Sequence, residues 1–398
     1  PQAVYDAAFW TGRQLRGVGI NFVLAPVLDV NSNLKNPVIG VRSLGRDPQT
    51  VSALGREALR GFRDAEILCA AKHFPGHGDT AVDTHVGFAL MEKSREELRR
   101  LELVPFRMAV EEGVPAIMAA HVALAEEDGL PVTMSGKVIR ELLRGELAFD
   151  GLAVSDCMEM DAVRADCGTA AGAVRSIAAG IDLVCISRSL PEVRAALRGL
   201  RKAVESGALP MMRIDQAVGR ILACKARYAG PPPAWTEEDG RRCRALAEDL
   251  FARSVECGVR PRGGRFRLGA APRFLSPVRQ QLSLVTEKAA RLSLAEELAA
   301  EFGGEARELS LRPNEEEREE LLRWASGGTS IVAGTLNATV YPEQLALLED
   351  MAKLAPPMAC VALRGPFELE LLPDSVFRIP VYEYSRRGIR QVCRYLER

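Results

Sequence analysis

Over residues 1–228, short apolar runs alternate with amphipathic stretches, and this alternation constrains the fold more than any other feature of the chain. The runs at 20–30, 69–74, 116–122, 152–156 and 182–187 are rich in Val, Ile, Leu and Ala on both faces. Between them, roughly 48–65, 95–112, 135–146, 169–179 and 190–205 space their apolar residues as helices do. Strands that are apolar on both sides and separated by helices predict a parallel sheet covered on both faces. Asp29, Lys72, His73, His121, Asp156 and Ser187 all fall at the C-terminal ends of these runs. In (β/α) barrels that end of the strands carries the chemistry.

The 398-residue chain is long enough for two domains. The run Pro231-Pro232-Pro233 interrupts the pattern and reads as a linker. The expected division is a catalytic barrel over 1–228, a proline-rich linker over 229–237 and a C-terminal α/β domain over 238–398. In the last part a charged helix is expected at 236–253. Strands are expected at 330–335, 358–363 and 378–384, with a helix at 342–354, which together predict a smaller open α/β domain. The acidic stretch 314–320 reads as a solvated helix face.

A net charge of −1 with 26% charged residues gives no global field for nucleic acid or anionic membranes. No uninterrupted apolar run is long enough to span a bilayer. The nine cysteines are odd in number and contain no CxxC pair, which suits reduced thiols and favours a cytoplasmic setting. The chain opens at Pro1 without a signal-like segment, so secretion after processing stays open.

Three of the four histidines, His73, His77 and His85, fall within thirteen residues, and the fourth is His121. Such clustering points to proton transfer or metal binding. His73 and His77 have the spacing of helical metal ligands, but Pro75-Gly76 between them forbids a regular helix, and no carboxylate or Cys pattern completes a site. No metal and no organic cofactor is therefore expected. Asp83 precedes His85 by two residues, so in an extended loop it can orient the ring and stabilise the imidazolium. The alternative is that Asp83 caps a turn and His85 is solvated. Asp156 ends an apolar strand, where a carboxylate suits a nucleophile facing a polar cavity; the alternative is an N-cap of the next helix. Lys72 and His73 fit hydroxyl binding or a salt bridge under the loop. Arg42 fits a substrate clamp or a surface ion pair.

The segment KHFPGHGDTAVDTH, residues 72–85, resembles the signature of bacterial β-N-acetylglucosaminidases of glycoside hydrolase family three. Around it, in the family's order, stand NFVLAPVLDV (21–30), GVRSLGRDP from residue 40, IMAAHV (117–122), GLAVSDCMEM (151–160), AGIDLVCIS (179–187) and IDQAVGRILACK (214–225). The resemblance covers 1–228 closely and the remainder loosely. It implies a (β/α)8-type TIM barrel followed by the second, open α/β domain of the two-domain members. Asp156 matches the nucleophile, His85 the general acid/base and Asp83 its partner. Arg42, Lys72 and His73 match residues that hold N-acetylglucosamine, while Asp29 and His121 support the pocket wall. Five barrel strands are legible where eight are expected, and the family's early Asp-x-Glu-Gly-Gly segment is absent, so the barrel is expected to be incomplete at its N-terminal side. Cys157 stands where family members often carry another polar or acidic residue.

The implied activity is a retaining exo-β-N-acetylglucosaminidase acting on small peptidoglycan-derived fragments, with no nucleic-acid or membrane partner. Alternatives are a catalytically impaired sugar-binding relic, a β-glucosidase relative, or phosphorolysis. The last arises because a histidine acid/base repels phosphate less than a carboxylate would.

Overall fold

The computed structural model describes residues 1–79, 89–278 and 292–398. They form two compact units, Pro1–Leu246 and Ala247–Arg398. The first unit contains β1 (Phe22–Val23), β2 (Leu68–Phe74), β3 (Ala89–Met91), β4 (Ala116–Ala119), β5 (Val122–Leu124), β6 (Leu152–Cys157) and β7 (Leu183–Cys185). One parallel sheet has the order β1-β2-β4-β6-β7. Chain order and strand order run together, as in a (β/α) barrel; a doubly wound sheet would reverse at a switch point. β3 and β5 form a separate parallel ladder.

Period-2 alternation divides this sheet's side chains between two cores. Cys69, Ala71, Ile117, Ala119 and Ala153 join the large cluster with Leu59, Phe62, Phe106 and Leu142. Their neighbours Ala70, Ala116, Met118, Leu152 and Val154 form a cluster on the other face, against which Ile221 and Cys224 pack. Both faces are buried, so the strands lack a polar stripe.

The expected elements are present with shifted ends. The run at 20–30 yields only the two residues of β1, because Pro26 cannot donate to a ladder. The chain nevertheless stays beside β2: Lys72 N–H donates to Pro26 O at 3.0 Å and Leu28 N–H to Lys72 O at 2.6 Å. The helix expected at 95–112 is two helices, Arg95–Arg100 and Leu103–Glu111. Pro105 removes a donor and crowds the carbonyl of Leu101, where the first helix ends. Ser94 and Glu97 cap that first helix reciprocally. Asp47 caps Pro48–Asp64 by accepting Thr50 N–H at 2.8 Å. Lys137–Glu146 is wound as a π-helix. The run at 116–122 splits into β4 and β5, with His121 in the gap.

The proline segment is strapped to the first helix, Gln2–Gly17. Buried Arg16 donates to the carbonyls of Tyr228 and Gly230, both at 3.3 Å, and of Pro231 at 3.1 Å.

The second unit contains β8 (Phe266–Arg267), β9 (Pro272–Pro277), β10 (Glu305–Leu309), β11 (Ser330–Thr335), β12 (Met358–Ala362), β13 (Phe377–Pro380) and β14 (Leu396–Glu397). Its main sheet is parallel in the order β10-β9-β11-β12-β13, a doubly wound arrangement that reverses direction between β9 and β11. Val332, Ala359 and Val361 enter one core, while Ile331, Ala333, Cys360 and Ala362 enter another. This is the smaller open α/β domain the sequence predicts. The acidic stretch at 314–320 opens the helix Glu315–Ser326, which Asn314 caps.

Candidate active site

Of the candidate residues, Lys72, His73 and Asp156 lie where β2 and β6 end, and both strands are irregular there. On β2, Lys72 pairs with Met118 and Phe74 with Ala119, so His73 is an extra residue with no partner of its own. On β6, Val154 pairs with Leu183 and Cys157 with Cys185, so Ser155 and Asp156 together oppose Val184. Such bulges re-aim side chains beside functional sites. Ser155 Oγ accepts the Cys185 N–H at 3.0 Å and so supplies the acceptor that the ladder loses.

Asp29 is the hub. One carboxylate oxygen accepts the backbone N–H of His77 at 2.7 Å and of His73 at 3.2 Å; the other lies 2.6 Å from His73 Nδ1. Arg42 Nη2 lies 3.2 Å from His73 Nε2. A guanidinium can only donate, so Nε2 accepts and Nδ1 carries the proton given to Asp29. Burial pushes the Asp29 carboxyl up, but the His73 ring, its hydrogen bond and His77 outweigh it and hold the group below the ordinary carboxylate value. Burial lowers the His77 imidazole, with the Asp29 charge opposing.

Asp156 is half-buried at the tip of β6. Burial acts to raise its carboxyl, but His73, His121, the Cys157 N–H and Lys72 prevail and hold it low. It is therefore an anion at neutral pH, as a nucleophile must be. Its Oδ1 accepts the Cys157 N–H at 2.7 Å. Burial, then Arg42, lower the Lys72 ammonium, with Asp156 and Asp29 opposing. His121 is fully buried; Nε2 donates to Cys157 O at 3.0 Å, and Nδ1 lies 2.8 Å from Thr133 Oγ1. The N-cap alternative for Asp156 does not match the geometry, since the following helix, Asp161–Asp166, has Met160 at that position.

Asp83 and His85 lie outside the described residues, but the chain leading toward them is tightly held. Gly76 has φ +142°, and a Cβ there would lie 2.6 Å from Glu102 Cγ; one on Gly78 would lie 1.8 Å from Val30 O. Asn36 Nδ2 donates to His77 O at 2.7 Å. Lys93 Nζ bridges Asp79 Oδ2 at 2.9 Å and buried Glu102 Oε1 at 2.5 Å. At the end of β2, Phe74 and Phe106 pack edge to face with ring centroids 5.5 Å apart.

Sequence reasoning placed Asp29 only in the pocket wall, and Ser155, Glu102 and Asn36 drew no expectation. Their one signal was polarity inside or beside apolar runs. Glu159 was also missed: its carboxylate collects the N–H groups of Ser187, Arg188 and Ser189 at 2.7–2.8 Å and fixes the turn after β7. Among the described residues, no group of three or more His, Cys, Asp or Glu is placed to hold a metal ion, and no helix is long and apolar enough to cross a membrane.

A parallel sheet wound in chain order, with an anionic Asp and a Lys-His pair at its C-terminal edge, defines a class that comparison makes specific. The family model described as "Glycosyl hydrolase family 3 N terminal domain" matches residues 1–224, and the chain belongs to glycosyl hydrolase family 3. Beta-hexosaminidase A of Pseudoalteromonas piscicida is 32% identical over 235 residues, which is 54% of this chain and 39% of that protein. Beta-hexosaminidase LpqI of Mycobacterium tuberculosis is 35% identical over 238 residues, 58% of this chain and 60% of that protein. The chain thus spans between two fifths and three fifths of these curated relatives. Among solved structures, a family 3 beta-N-acetylglucosaminidase from Paenibacillus sp. str. FPU-7 superposes with TM-score 0.84 at 38% identity, covering 98% of this chain and 76% of that one.

Proposed function

We propose that this chain is a retaining exo-β-N-acetylglucosaminidase that releases N-acetylglucosamine from small peptidoglycan-derived fragments in the cytoplasm, without metal or organic cofactor. The observation that carries the reading is Asp156, an anion at a strand bulge with Lys72, His73 and His121 as its electrostatic neighbours. The names of the relatives, β-hexosaminidase and β-N-acetylglucosaminidase, support the sugar class.

In this mechanism Asp156 attacks the anomeric carbon and forms a glycosyl–enzyme bond as the leaving oxygen departs. His85, held charged by Asp83, protonates that oxygen; once neutral, it takes a proton from the water that releases the sugar. Arg42, Lys72 and His73 bind the N-acetylglucosamine. Asp29 fixes the ring of His73 and so leaves its Nε2 edge toward Arg42.

The test is Asp156→Ala assayed with 4-nitrophenyl N-acetyl-β-glucosaminide, with circular dichroism to check the fold. Hydrolysis should vanish, and added azide should restore turnover as the α-glycosyl azide. Near-normal hydrolysis by the variant would overturn the assignment. His85→Ala should slow a disaccharide by about 10²–10⁴-fold while sparing the activated nitrophenyl substrate, whose leaving group needs no proton. Equal losses on both substrates would remove His85 from the acid role.

A further inference from the structure

Cys157 directly follows Asp156 and is the register partner of Cys185 on the neighbouring strand. Both are free thiols and both are half-buried, whereas Cys69 and Cys360 are sealed in the cores. Adjacent strands lie about 4.7–4.9 Å apart. That spacing falls inside the Cα separation of about 4.4–6.8 Å that a disulfide bridges. Register partners also send their Cβ atoms to the same face of a sheet. Cys185 has Asp156, Cys157 and Lys72 as its electrostatic neighbours, so the pair stands at the site itself.

We propose that Cys157 and Cys185 are a paired thiol site that a peroxide-class oxidant closes to a reversible disulfide, and that the closed form takes Asp156 out of its attacking position. The thiol chemistry stands on geometry alone, while its effect on activity rests on the function proposed for Asp156. The Cys157 sulfur makes an exposed contact with Ser187 Oγ, so peroxide meets it first; burial and the Asp156 charge push the Cys185 thiol up to about 11 and keep it protonated at neutral pH. The Cys157 sulfur attacks one peroxide oxygen, the O–O bond breaks, and a sulfenic acid forms with loss of one water. The Cys185 sulfur then attacks the Cys157 sulfur, the S–O bond breaks, and the hydroxyl leaves with the Cys185 proton as a second water. Two thiols surrender two electrons and one peroxide takes them.

The structural consequence follows from what Cys157 holds. Its N–H donates to Asp156 Oδ1 at 2.7 Å, its carbonyl accepts from His121 Nε2 at 3.0 Å, and its sulfur lies 3.1 Å from Ser187 Oγ. Drawing the sulfur to Cys185 breaks the Ser187 contact and shifts the peptide that anchors the Asp156 carboxylate.

The experiment treats the full chain with hydrogen peroxide, alkylates the remaining thiols, and maps linked peptides by mass spectrometry beside hydrolysis of the chromogenic N-acetylglucosaminide. A 157–185 link should rise as activity falls, and dithiothreitol should reverse both. C157S and C185S, each compared with its own untreated activity, should neither link nor respond. Absence of the link at peroxide doses that already oxidise exposed Cys257 would overturn the site. A link that forms without loss of activity would overturn its effect on Asp156. If untreated protein hydrolyses no N-acetylglucosaminide yet the link forms, the function proposed for Asp156 fails and the thiol site stands.

Discussion

Asp29→Asn perturbs the hub by a single atom exchange. Asparagine keeps one acceptor oxygen for the His73 and His77 amides but turns an NH₂ toward His73 Nδ1. His73 can move its proton to Nε2, which then meets the Arg42 N–H across 3.2 Å. One donor faces a donor whichever tautomer forms. Hydrogen bonds to charged groups contribute about 1.5–3 kcal/mol, and removing one member of a buried pair costs about 3–5 kcal/mol. The side chains of Asp29 and His73 are 0% and 5% exposed, so water relieves little of this. A loss of about 3 kcal/mol is expected. It should appear in urea unfolding read through hydrogen exchange of the β2 amides, and a double-mutant cycle with His73→Gln should return coupling of about 2 kcal/mol. Because the Asp29 carboxyl is held below its ordinary value, its contribution is complete above the unfolded pKa of about 3.9 and is lost as pH falls through the lower folded value. The gap between wild type and variant should therefore hold at neutral pH and close in acid. A loss under about 1 kcal/mol with additive single variants would refute the hub argument.

In the second unit, Glu368 is 1% exposed, and burial pushes its carboxyl up to about 7. A raised acid stabilises fully below its unfolded value and loses that contribution as pH rises through the folded one, here roughly 3 kcal/mol at about 1.4 kcal/mol per unit. Glu368→Gln should abolish the loss of second-unit stability that accrues as pH rises from the unfolded value of about 4.3 to about 7, and urea midpoints across pH check it; an unchanged pH slope between those limits would count against the buried-acid reading. Arg16→Ala should cost about 2–3 kcal/mol, since three carbonyls lose a buried charged donor. It should also open residues 229–236 to limited proteolysis, and an unchanged cleavage rate would mean that the strap does not hold them. Ser155→Ala should lower kcat with little change in KM, because the Cys185 N–H loses its acceptor and the bulge relaxes around Asp156. Unchanged kcat would mean that the bulge holds without the hydroxyl.

What could be read from sequence depended on how local the cause is. β2, β4 and β6 are legible because burial on both faces leaves continuous apolar runs. β10, Glu-Ala-Arg-Glu-Leu, is an edge strand of its sheet, and its charged residues guard that edge while removing the apolar signature. β9, Pro-Arg-Phe-Leu-Ser-Pro, has prolines at both ends, which ordinarily argue for a turn. Asp156 was legible for the opposite reason: a lone carboxylate closing an apolar strand is costly unless it faces something polar. Its aim was not legible. The bulge arises from the count of residues between Val154 and Cys157 against the count between Leu183 and Cys185, so it belongs to a pair of strands and neither segment reveals it alone. The same holds for Asp29, whose partners His73 and His77 lie 44 and 48 positions away. Residue type at a strand end is local information and marks where chemistry can occur. Orientation comes from register and from hydrogen bonds across the sheet, so Ser155 entered the site, and Asp29 became its hub, only once the strands were paired.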